Sequence, residues 1–95
     1  MLDIHADPIY ATIPANSIGT LQRYVDYGLQ PGDFMIGMLT NDLNKACWHA
    51  DTGNQAALYA IVKFIHNEVP MSCHGSREII VKWMMHDGMR GLKDE

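Results

Sequence analysis

Two groups of residues in this chain have types and spacing suited to chemistry. The first is Asn41, Asp42, Asp51 and Asn54. Asp42 follows Met35 by close to two helical turns and falls between Leu39 and Ala46 on the same stripe, so a continuous helix would turn its carboxylate inward. A carboxylate facing a core is costly unless donors surround it. It is either clasped structurally, by a helix N-terminus, Asn54 or Arg23, or it forms the polar floor of a ligand pocket or a general acid or base. Asn54, one turn before Leu58, falls on the core side of the next helix, either as a capping partner of Asp51 or as a ligand contact.

The second group is the run Cys73-His74-Gly75-Ser76-Arg77. Ser76 is placed to cap a helix, Gly75 permits close backbone approach, and His74 and Arg77 add donors. That combination suits a phosphate or carboxylate, or is an ordinary capped helix start. An aromatic wall from Tyr10, Tyr59 or Trp48 would extend it to a nucleotide site. The candidate ligand-binding set is thus Asn41, Asp42, Asp51, Asn54, Tyr59, His74, Ser76 and Arg77. Cys47, His49, Cys73 and His74 are zinc-ligand types, but the usual C-x₂-C and H-x₃-H spacings are missing, so no metal or cofactor is assigned. His66 reads as a packing histidine beside an apolar stripe. No Ser-His-Asp or Cys-His pairing and no phosphate-binding glycine loop is legible, so binding is favoured over catalysis.

The elements that must hold these groups read as all-α. Residues 1–13, with Pro8, the β-branched Ile9, Thr12 and Ile13, and Pro14 directly after them, predict an extended N-terminal arm. A helix follows from Pro14 to about Tyr27, with the stripe Ile18, Leu21, Val25, Tyr24 at its edge and Gly28 as its stop. Pro31 opens a second helix burying Met35, Met38, Leu39, Leu43 and Ala46. Asp51 caps a third, with Leu58, Ile61, Val62, Ile65 and Val69 inward and Pro70 at its end. The short connection makes these two a central antiparallel hairpin. Ser76 starts the fourth helix, which buries Ile80, Trp83 and Met84 and stops near Gly88. The reading is a four-helix domain over 14–88 with a flexible tail over 89–95.

Bulk properties narrow the function classes. The 95 residues support one domain, and 47% hydrophobic with 19% charged residues is the balance of a folded chain. A net charge of −4 disfavours non-specific nucleic-acid binding. No apolar run approaches a membrane span, and the first residues lack a secretory layout. Reduced cysteines in a cytoplasm are expected. Seven Met against two Phe suggests an adaptable core or binding surface, and a homo-oligomer would add buried area.

Read in order, IP (Ile13, Pro14), RYVDYGLQPGDF (Arg23 to Phe34), NDL (Asn41 to Leu43), Ala50-Asp51 with Asn54, IVKFIHNEVP (Ile61 to Pro70), CHGS (Cys73 to Ser76) and Trp83 form a specific string. From Ile13 to Trp83 the chain resembles a family of small proteins encoded by tailed bacteriophages and prophages. Trp48, His49, His74 and Arg77 depart from that pattern. The resemblance implies a phage product made in a bacterial cytoplasm. By analogy it implies a counter-defence role: blocking a host defence protein or sequestering a nucleotide-like signal. The alternatives are a pocketless protein–protein module, a minor virion component, or a small enzyme using Asp42 with His66 or His74 as acid and base.

Overall fold

In the computed structural model, which describes residues 2–93, the fold is helical throughout, with no strand among the described residues. Helix α1 (Ala15–Tyr27) starts at Pro14 and ends at Gly28, whose φ of 70° supplies the left-handed stop expected from sequence. Leu21, Tyr24 and Val25 are buried. Tyr24 is central rather than peripheral, because both of its polar ends are satisfied. Its hydroxyl donates to the Cys73 carbonyl at 2.7 Å, and its own carbonyl accepts the Trp83 indole N–H at 3.0 Å. Burial raises the phenol's pKa well above its usual value.

The expected central hairpin of two long helices is corrected to four short ones: α2 (Asp33–Leu39), α3 (Leu43–His49), α4 (Thr52–Ala56) and α5 (Leu58–Glu68). The first break lies at Asn41, in the left-handed region at φ 61°. The Asp42 amide donates to the Gly37 carbonyl at 2.8 Å and the Asn41 amide to the Met38 carbonyl at 3.4 Å. This pairing is the Schellman stop, which Asn tolerates when Gly is absent. The chain then folds α3 back onto α2. A Cβ on Gly37 would stand 2.6 Å from the Ala46 nitrogen, so the close approach of these helices requires glycine there. Leu43, expected in the core, is 63% exposed as a result. A second interruption at Ala57 separates α4 from α5. Ala57, Ala60, Ile61, Phe64 and Ile65 are buried, and Val62, at the edge of their stripe, is exposed.

The N-terminal segment is not an extended arm. Pro8–Thr12 form a 3-10 helix, with Asp7 as its cap accepting from the Ile9 amide. Tyr10 is buried edge-on to Phe64 with ring centroids 4.9 Å apart, and its hydroxyl donates to Glu68 Oε2 at 3.2 Å. Lys63 pairs with Asp7 at 2.6 Å, and its hydrogen bond holds the Asp7 carboxyl below its ordinary pKa. Prolines that disfavour an α-helix here serve a tighter turn.

Ser76 caps α6 (Arg77–Met85) by accepting from the Ile79 amide at 3.3 Å. The tail expected to be flexible instead continues as α7 (Gly88–Lys93), packed on α1; of that stretch, residues 94–95 lie outside the described residues. Gly28 and Gly88 make that contact possible, since a Cβ on Gly88 would lie 2.5 Å from the Gly28 nitrogen. The radius of gyration is 12.5 Å, as for one compact body of this length.

Candidate functional site

The helix break at Asn41 redistributes the residues expected to form one polar cluster. Asp42 is exposed, because it has become the N-cap of α3 and accepts the Lys45 amide at 3.0 Å. The inward-facing carboxylate expected from continuous helical spacing is therefore corrected: once the chain stops at Asn41, the two-turn offset from Met35 no longer sets where Asp42 points. Asp51 caps α4 as anticipated, accepting the Asn54 amide at 2.8 Å, and it too is exposed. Asn54 is half-buried, and its Oδ1 accepts the Ser17 hydroxyl at 2.6 Å. Asp51, Asn54 and Ser17 line a shallow hollow of about 210 Å³ floored by Phe34 and Met35. Asp42 is not part of it.

Asn41 and His74 do come together. The Gly75 amide donates to the Leu39 carbonyl at 2.7 Å, and Asn41 Nδ2 reaches the Gly75 carbonyl at 3.5 Å. The last turn of α2 and the loop before α6 are thus stitched backbone to backbone. Between them and α5 lies a cavity of about 300 Å³. Met38, Leu43, Val62 and Ile65 supply its apolar wall, and Asn41, His66 and His74 its polar groups. Among the described residues no Lys, Arg, Asp or Glu lines it. Ser76 serves the α6 cap, and Arg77 lies in a separate shallow groove along α6 with Glu78 and Lys82. Tyr59 is 67% exposed on the outer face of α5.

His74 is the electrostatically unusual member. Its Nε2 is enclosed and has no hydrogen-bond partner. Burial is the main reason its pKa falls below the ordinary 6.5; a backbone contact with Val69 opposes the shift and nearby His66 adds to it. His74 borders the cavity, while its Nε2 is sealed from solvent. Cys47 is exposed and Cys73 buried, so the two do not pair, and burial pushes the Cys73 thiol up to about 11. Among the described residues no three His, Cys, Asp or Glu side chains lie close enough together to hold a metal ion.

Leu43 and Val62 were assigned to the core from sequence, and His66 to packing; all three line the cavity. For two of them the spacing carries a signal: Val62 and His66 are four apart and share one face of α5. No family model, curated protein or solved structure matches this chain. No helix among the described residues is long and apolar enough to cross a membrane.

Proposed function

We propose that this protein is a phage accessory protein that acts by binding a host protein, in a counter-defence role, within the bacterial cytoplasm. The observation that carries the binding part is the apolar surface left open on α3 and α5. Trp48 is 82% exposed, and Leu43, Tyr59 and Val62 are exposed with it. Leu43 and Val62 border the same cavity, so the two helices present a shared face. Large apolar side chains left exposed are candidates for interaction surfaces, and Trp and Tyr are the residues that most often anchor them. The phage setting and the counter-defence role rest on the resemblance of Ile13 to Trp83 to phage-encoded proteins. A homo-oligomer using the same face is the other occupant this surface admits.

Affinity capture from host lysate tests the reading. The wild-type chain should retain one host protein at near-equal stoichiometry, and the double variant Trp48→Ala, Tyr59→Ala should retain at least tenfold less, with its helical circular dichroism unchanged. Both side chains are exposed, so the fold does not depend on them. No retained host protein, or equal retention by the variant, overturns the proposal. A dimer in sedimentation that the variant abolishes would assign the face to a second copy.

A further inference from the structure

We infer that the outward face of α6 is the docking surface for a second copy of this chain, the two α6 helices running antiparallel with Glu78 of each copy against Lys82 of the other. This inference is independent of the host-protein reading, because the α6 face and the exposed face of α3 and α5 share no residue.

α6 is apolar on two sides. Ile80 and Trp83 bury its inner face, as a surface helix requires. The outer stripe of such a helix is ordinarily polar. Here it runs Glu78, Val81, Lys82 and Met85, at i, i+3, i+4 and i+7, and so sets two apolar side chains among the charges. All four are exposed, Met85 at 80%. The hollow beside this stripe, about 560 Å³, is bounded from Arg77 to Met85 by residues of α6 alone, so it has a single wall. A second helix laid along the stripe would supply the other wall and cover Val81 and Met85.

Charge decides which helix that is. Glu78 and Lys82 are four apart, yet neither they nor Arg77 form an ion pair among the described residues, where Lys63 pairs with Asp7. A two-fold axis passing between Val81 and Lys82 sets two such stripes antiparallel. It brings Val81 and Met85 of both copies to the seam, and it sets Glu78 of each within about one helical turn of Lys82 of the other, twice over. A parallel pairing would put Glu78 against Glu78 and Lys82 against Lys82. The charge pattern therefore fits a second copy in one orientation. α6 has nine residues, roughly 14 Å of length, so the contact is small and the dimer weak, with a Kd on the order of 100 µM.

Sedimentation equilibrium of the full-length chain, from about 10 µM to about 1 mM, should show monomer and dimer in exchange. Glu78→Lys and Lys82→Glu should each weaken the dimer by about tenfold, because each sets like charges against one another across the seam. Mixed in equal amounts, the two variants should associate within about threefold of the wild type, since every charge contact between them is again of opposite sign. Restoration between two different chains cannot come from a change inside one helix. Both side chains are exposed, and unchanged circular dichroism checks the fold of each variant. A wild type that stays monomeric at about 1 mM, or a mixture no tighter than either variant alone, overturns the inference. So does a dimer that Trp48→Ala, Tyr59→Ala abolishes, which would seat the second copy on α3 and α5. Failure of host-protein capture with the α6 dimer intact would remove the proposed function and leave this inference standing.

Discussion

Tyr24 and Trp83 are bonded in relay: the Trp83 indole donates to the Tyr24 carbonyl, and the Tyr24 hydroxyl donates onward to the Cys73 carbonyl. One residue of α1 thereby holds α6 through its main-chain carbonyl and, through its hydroxyl, the loop that carries His74. Tyr24→Phe keeps the ring but leaves the Cys73 carbonyl without its donor. It should cost about 1–3 kcal/mol in urea unfolding, with faster amide exchange concentrated in residues 73–76. A loss below half a kcal/mol on the same scale would mean the hydroxyl bond contributes little.

Gly37→Ala should be more damaging than a helix-propensity view allows. Alanine is ordinarily favoured over glycine within a helix by about 1 kcal/mol. Here its methyl would meet the Ala46 backbone at 2.6 Å, where no flexible side chain can yield. Net destabilisation of about 1–3 kcal/mol is expected, with displacement of α3 visible in the Leu43 and Ala46 chemical shifts.

Asn41 sits at φ 61°, a conformation that β-branched residues resist. Asn41→Val should destabilise the chain by about 1–2 kcal/mol, and Asn41→Gly should be near neutral or slightly stabilising, both read from thermal melts. The reverse order would show that the Asn side chain, through its contact with Gly75, outweighs the backbone preference.

The His74 pKa is lower in the folded chain than its ordinary 6.5, so between the two values the unfolded chain binds more protons and stability rises with pH. The stabilisation linked to His74 is fully present above 6.5 and is lost as pH falls from there through the folded-state value. Asp7, also lowered, acts in a separate window: its share is present above 3.8 and disappears only in stronger acid. Melting temperatures across about pH 5–8 should therefore fall on the acid side, and His74→Phe should flatten that limb. An unchanged slope in the variant would assign the titration elsewhere.

Much of the frame was readable from residues alone. Gly28 and Ser76 end and begin helices where their chemistry says they should, and Asp51 caps as expected. Helix breaks were harder to read than helix ends. Met35, Met38, Leu39, Leu43 and Ala46 keep helical spacing straight through the stop at Asn41, and a single Asn gives no periodic signal that the chain turns back. The misplacement of Asp42 and Leu43 follows from that one missed left-handed residue, whereas Val62 lies at the edge of the α5 stripe beside the buried Ile61 and Ile65. The donors that single out the run from Cys73 to Arg77 are dispersed in the fold: Ser76 is used as the α6 cap and Arg77 lies in a separate groove.

The two thiols divide sharply by reactivity. Cys73 is sealed, with its ionisation pushed to about 11, whereas Cys47 is open to solvent on α3 immediately before Trp48. At neutral pH an alkylating dye should therefore attach to Cys47 alone. The natural sequence thus carries its own fluorescent reporter position at the edge of the surface on which a partner would land, and docking can be followed without engineering a new cysteine.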